Sequence, residues 1–404
     1  MTTAPAAELG YDDAAERRHR ALRAEALLDP DIVFLNHGSF GACPRPVFER
    51  FQAWQRELEG QPVAFLGRRL RGLLADSRAA LAAYLGADRD EIVYMPNVTT
   101  ALNVVARSLP LEAGDEILTT DHEYGALNRT WTFVAEHSGT RNVVRHLPVP
   151  LGDPDEVVEA IWAGVTPRTR VLFLSHITSP TAIILPIEPL IERARAAGIW
   201  TVVDGAHAPS QVPIDLHRLG VDFYGGNCHK WLSSPKGAGF LYVRADLQPV
   251  IEPLVVSWGW RPEDPGESVF IDILERHGTD EPAAPLSVPA AIAYQAERDW
   301  PQVRQECHAL VRLARQQMAE VTGEPELVPD DPRWFSQMAV LPLPACDARL
   351  LQRRLWDEYQ VEIPATHWGD RPCLRISVQG YTTRADVDRL IEAVRELLPQ
   401  VRTA

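Results

Sequence analysis

Three residues in this chain have the types and surroundings for chemistry on a charged organic molecule: Asp204, Lys230 and Arg375. Asp204 closes the apolar run Val202-Val203. A carboxylate at the end of a buried strand is costly without a partner. It reads as a helix N-cap, as half of an ion pair, or as the partner of a protonated pyridine ring. Lys230 stands between His229 and Trp231, just after the run Phe223-Tyr224. A lone lysine is ordinarily a surface residue, but one desolvated in a cleft has a lowered pKa and attacks carbonyl carbon. The 26 residues between the two (230 − 204), with one further strand in that interval, favour a shared site. Arg375 lies between Leu374 and Ile376 on an apolar strand. Its guanidinium offers the fork that a carboxylate needs, the alternative being a surface salt bridge.

These residues need elements to position them. From about residue 90 to 245, short apolar runs alternate with segments of helical period. The runs include Ile92-Val93-Tyr94, Val171-Leu172-Phe173-Leu174 and Trp200-Thr201-Val202-Val203; Ile187 to Ala197 is a helix with Ile187, Leu190, Ile191 and Ala194 on one face. Such alternation predicts an α/β fold, with a mostly parallel seven-stranded sheet between helices. Ligands of such sheets bind beyond the carboxyl ends of the strands. The polar clusters fall there: Asn97-Val98-Thr99-Thr100, His122-Glu123-Tyr124, Ser175 to Ser179, Asp204 to His207, and Asn227 to Lys230. After about residue 285 the pattern becomes long helices, strands around Met338–Leu343 and Leu374–Val378, and a last helix from Thr383, its N-cap. The expected organisation is an N-terminal segment (1–45) with a helix over Tyr11–Leu28, a large domain (46–285) and a smaller α+β domain (286–404). Pro235-Lys236-Gly237-Ala238-Gly239 is glycine-rich but lacks phosphate-loop spacing, and is read as a turn back into a strand.

Bulk properties narrow the class. The 404 residues carry a formal charge of −15, without a basic patch that would hold nucleic acid. No apolar run is long enough to span a bilayer. Five scattered cysteines without a CxxC pair argue against a disulfide framework or a zinc site, and fit a reducing cytoplasm.

Taken together, Asp204-x-Ala206-His207 and His229-Lys230, the strings Leu35 to Gly41, Asp121 to Ala126, His176 to Thr181 and Asn227 to Leu232 resemble the fold-type I enzymes of the aminotransferase class V family. The likeness runs from about Leu35 to Val378 and is greatest to the isopenicillin N epimerase-like branch. It implies pyridoxal 5′-phosphate (PLP) attached to Lys230, with Asp204 on its ring nitrogen. Thr99 and the amides of Val98 and Thr99 would hold the phosphate at a helix N-terminus, Asn227 and His229 would add contacts, and Thr279 would reach it from the other subunit of a homodimer. Tyr124 would stack on the ring, with His122 as second choice, and His207 and Ser179 would sit near the phenolic oxygen. Arg375 would grip the substrate carboxylate, with Asn36, His37 and His367 lining the pocket.

The chain departs from cysteine desulfurases in that Ala365 to Asp370, expected as a loop, holds no cysteine. That argues against desulfuration of free cysteine through a persulfide. Because the isopenicillin N epimerase-like branch matches best, the resemblance implies epimerisation of an amino acid, with Tyr124, His122 or His367 as second acid. Cysteine S-conjugate lysis, decarboxylation, transamination and an inactive scaffold are the alternatives.

Overall fold

The computed structural model describes residues 6–266 and 268–403. Its central sheet has the spatial order β2-β8-β7-β6-β5-β3-β4. The strands are β2 (Ile92–Met95), β3 (Glu116–Thr120), β4 (Arg141–Arg145), β5 (Thr169–Ser175), β6 (Trp200–Gly205), β7 (Phe223–Asn227) and β8 (Gly239–Val243). Only β8 runs against its neighbours; the pairings from β7 to β4 are all parallel. The expected seven-stranded, mostly parallel sheet is present. β2, β3, β7 and β8 are buried along their whole length; β2 and β8 are unbroken apolar or small-residue runs, while the Glu116 that opens β3 is paired with Arg141 and Arg168. β4 is the exception: it forms one edge, is largely accessible, and begins and ends in arginine.

Parallel strands bring their carboxyl ends to one edge. Asp204, next to last in β6, lies beside Ser175 of β5 and Gly225 of β7. Asn227 ends β7 opposite Gly239, and the turn from Asn227 to Gly239 carries Lys230. Gly239 has no room for a side chain, since a Cβ there would lie 2.7 Å from the Asn97 Cα. That contact seats the helix Val98–Ser108 beside the same edge. Asn97 caps this helix, its side chain accepting from the Thr100 amide at 2.9 Å.

The smaller part holds a three-stranded antiparallel sheet in the order β11 (Ala365–Trp368), β12 (Arg371–Ser377), β9 (Met338–Pro342). Helices Trp300–Thr322, Ala348–Tyr359 and Arg384–Val401 pack with it. Thr383 caps the last helix with Asp386 in a reciprocal capping box. Helix Val288–Ala296 packs on the helices Arg45–Gly60 and Leu70–Leu85, so apolar packing is continuous across residue 286.

The N-terminal helix spans Asp13–Glu25, shorter than the sequence pattern, because Asp12 caps it and Ala26 turns extended. β1 (Val33–Phe34) then pairs in parallel with β10 (Val361–Glu362). The chain passes on to Gly41, whose φ is +70° and whose added Cβ would lie 1.9 Å from the His229 carbonyl oxygen. Only glycine lets this segment press against the backbone that carries Lys230. No helix among the described residues is long and apolar enough to cross a membrane.

Candidate active site

The amine of Lys230 is desolvated, and its Nζ lies 3.2 Å from Nε2 of His207. Burial lowers its pKa from 10.5 to about 8; Arg375 adds to the fall and the Asp204 carboxylate opposes it. More of the amine is therefore unprotonated near neutral pH than for an ordinary lysine. The chain contains two lysines, Lys230 and Lys236. Lys236 is exposed, and its Nζ donates to the Gly41 carbonyl at 2.9 Å. That scarcity, readable in the sequence, singles out Lys230 as strongly as its motif does.

Asp204 is 3% exposed. One carboxylate oxygen accepts from the Ala206 amide at 2.8 Å, and burial raises its pKa. It is a buried acid in want of a cation. The carboxyl of Glu123 lies behind it, raised by burial to about 7 and held by the Ser175 amide and hydroxyl at 2.7 and 2.6 Å and by Thr120. Arg375 is 7% exposed. Its Nη1 donates to the Ser179 carbonyl at 2.6 Å and its Nη2 to the Ser39 hydroxyl at 3.2 Å. Its Nε has no partner, and no carboxylate of the described residues forms an ion pair with it. Desolvation lowers its pKa to about 10. A lysine, an acid and a guanidinium, each desolvated, thus face one region. An anion for the guanidinium and a cation for the acid are what this set lacks.

At the helix Val98–Ser108, the Val98 N–H donates to Oδ1 of Asn227 at 2.9 Å, Thr100 is capped by Asn97, and Ala101 bonds the Asn97 carbonyl. The Thr99 amide alone among the first four has no partner among the described residues. The Val98 amide, expected to be free for a phosphate, is already used by Asn227 Oδ1, which leaves the Asn227 amide nitrogen as the side chain's remaining polar group. His229 donates Nδ1–H to the Ala238 carbonyl at 3.0 Å. In the neutral ring Nε2 is then an acceptor, so a contact from His229 to a phosphate requires the imidazolium.

Four further expectations change. His122 is fully buried; it donates Nε2–H to the Leu147 carbonyl at 2.9 Å and accepts at Nδ1 from Thr181 at 2.8 Å. Both ring nitrogens are committed, so it is a structural residue, and Tyr124, 41% exposed, is the aromatic left free there. His37 is also sealed off. It accepts from the Tyr381 hydroxyl at 2.8 Å and donates to the Lys230 carbonyl at 2.9 Å, so it holds the lysine backbone and does not line a substrate pocket. Asn36 bonds Glu362 and Ser39; it supports Ser39 beneath Arg375. Finally, Ala365 to Asp370 is no loop: Ala365–Trp368 is β11, paired to β12 through the Gly369-Asp370 turn. In that register Thr366 and Trp368 share the Arg375 face and His367 takes the other, exposed. Ser179 bonds Arg375, a role the sequence did not suggest. Thr279 is exposed and lines a cavity of about 760 Å³ with Pro96, Lys236 and Trp258.

Residues 33–390 match aminotransferase class-V. The chain belongs to that family. It is 41% identical over 388 residues to an isopenicillin N epimerase of Amycolatopsis lactamdurans, and 39% identical over 386 residues to that of Streptomyces clavuligerus; both alignments cover 93% of this chain and 97% of the relative. An L-cysteine desulfhydrase of Arabidopsis thaliana is 27% identical, over 92% of this chain and 89% of its own. Among solved structures, a cysteine desulfurase of Escherichia coli superposes with a TM-score of 0.80 at 26% identity, covering 95% of this chain and 99% of its own. The class-V chain is a PLP enzyme acting on an amino-acid substrate, and the buried acid, the desolvated amine and the free helix amide fit that cofactor.

Proposed function

We propose that this chain is an amino-acid epimerase of the isopenicillin N epimerase type, working in secondary metabolism, with PLP attached to Lys230. The unpaired, desolvated guanidinium of Arg375 carries this reading, because it calls for a substrate carboxylate. Asp204 would hold the ring nitrogen in its protonated form. The Thr99 amide and the Asn227 side-chain amide would hold the phosphate; His229, whose pKa burial lowers to about 4, stays neutral beside them with Nδ1–H on the Ala238 carbonyl. His207 would face the phenolic oxygen. When bound, PLP supplies an electron sink for negative charge at the substrate Cα. Arg375 fixes the carboxylate and so orients the Cα–H bond. Lys230, with its lowered pKa, takes that proton as a base working near neutral pH. Tyr124, whose phenol is near enough to act on the charge of Arg375, returns a proton to the other face.

Lysis of a carbon–sulfur bond is the second reading, since the same proton removal precedes loss of a thiolate and desulfhydrases are among the relatives. A persulfide route through Cys373 is disfavoured: the thiol is buried on β12 and burial pushes its pKa up to about 12. The protein works in the cytoplasm as a homodimer with Thr279 supplied to the other subunit's site. The exposed apolar side chains Val255, Val256, Trp258 and Trp260, close to the Thr279 cavity, support such pairing. Incubating the PLP-loaded enzyme in D2O with isopenicillin N and, separately, with L-cystine separates the readings. Recovered isopenicillin N of inverted configuration with deuterium at Cα is expected. Pyruvate and ammonia from cystine, with no deuterium exchange into isopenicillin N, would overturn the epimerase reading in favour of the lyase.

A further inference from the structure

Trp231, the residue after the lysine, is fully buried, and its indole Nε1–H donates to Nδ1 of His207 at 3.2 Å. The other ring nitrogen of His207, Nε2, is the atom 3.2 Å from Nζ of Lys230. An indole nitrogen can only donate, so Nδ1 of His207 must be the acceptor, and a neutral imidazole then carries its proton on Nε2. An Nε2–H needs a lone pair opposite it. An ammonium has none; a free amine has one. We propose that Trp231 is a positioning residue that fixes His207 as the Nε2–H tautomer and thereby selects the unprotonated amine of Lys230.

The surroundings agree. His207 stays neutral because it is buried and because Lys230, Arg375 and His37 oppose a further positive charge there. The charged groups facing Lys230 are Asp204 from β6, which favours the ammonium, and Arg375 from β12, which opposes it. With those two opposed, the tautomer tips the balance. The indole itself is held in place: Gln295 donates to the Trp231 carbonyl at 2.9 Å, and the His37 ring packs 5.1 Å from the indole.

Trp231→Phe keeps an apolar ring and removes the N–H. The His207 proton can then move to Nδ1, leaving Nε2 to accept from an ammonium. The inference rests on Lys230 as the cofactor lysine for its meaning but not for its test, which uses the cofactor-free protein. Trace acylation with acetic anhydride across pH, followed by mass spectrometry, reads the amine of each lysine, with Lys236 as internal reference. Loss of one neutral hydrogen bond should raise the Lys230 midpoint by about half to one pH unit, with Lys236 unmoved. Nitrogen-15 NMR of histidine-labelled wild type, with the His207 signals assigned by His207→Gln, should show the proton on Nε2. An unmoved Lys230 midpoint, or a wild-type His207 proton on Nδ1, overturns the inference. If Trp231→Phe does not fold, the wild-type tautomer still decides. Borohydride fixation of PLP on Lys236 would overturn the cofactor assignment alone and leave both of these readings standing.

Discussion

A guanidinium withdrawn from water, with neutral oxygens on two nitrogens and nothing on the third, is destabilising until an anion arrives. Arg375 is in that state, and the Ser179 carbonyl, Ser179 hydroxyl and Ser39 hydroxyl hold its fork in one orientation. Arg375→Leu should therefore lower kcat/KM by the equivalent of about 2–5 kcal/mol, chiefly through KM, as for loss of one partner from a buried charge pair. Steady-state kinetics with the preferred amino acid checks this, and a KM within a few-fold of wild type would remove Arg375 from the carboxylate site. At the same scale, attachment of PLP to the cofactor-free protein should accelerate as pH rises to about 8 and then level off, because the depressed pKa of Lys230 makes the amine available there. Levelling only above about pH 10, where an unperturbed lysine loses its proton, would contradict that environment. Asp204, Lys230 and Arg375 are legible in the sequence because each sits at or beside an apolar strand, where a charge has few innocent explanations. Ser39 and Trp231 are not, because a hydroxyl or an indole becomes a partner only across tertiary distance; Ser39 and Arg375 are 336 residues apart in the chain.

The elements that carry these residues follow from pattern where burial is two-sided. β5, β6 and β7 come from β-branched, aromatic or glycine runs, and the polar clusters after them mark the ligand-binding edge. The β11–β12 hairpin was harder to read. Gly369-Asp370 is a recognisable turn pair, but Pro364 and Pro372 interrupt the alternation that marks strands, so the segment reads as a loop. The commitments of His122 and His37 were equally hidden, since which face a histidine takes is decided by packing between elements. At this scale Gly41 is the sharpest test. Its positive φ and the 1.9 Å approach to the His229 carbonyl leave no room for a methyl group. Gly41→Ala should cost about 1–3 kcal/mol of stability by urea unfolding and loosen PLP binding, because the strain falls on the backbone of His229 and Lys230. Unchanged stability and PLP affinity would show that this contact does not set the lysine.

For the whole molecule, two parts of the chain meet at one edge: β6 and β7 bring Asp204 and Lys230, and β12 brings Arg375. In the proposed dimer, the exposed apolar segment around Val255 to Trp260, with Thr279 nearby, would carry the site across to the other subunit. Mixing Lys230→Ala and Thr279→Arg subunits should restore up to about a quarter of wild-type activity, since half of a random mixture is heterodimer with one intact site of two. Heterodimers that form but stay inactive would contradict the shared site. The attachment of the cofactor remains the centre of this picture, and a chain with two lysines makes it unusually open to test. Borohydride reduction of the PLP-loaded enzyme, followed by peptide mass spectrometry, should find the pyridoxyl group on Lys230 alone; finding it on Lys236, or on neither lysine, would contradict the site described.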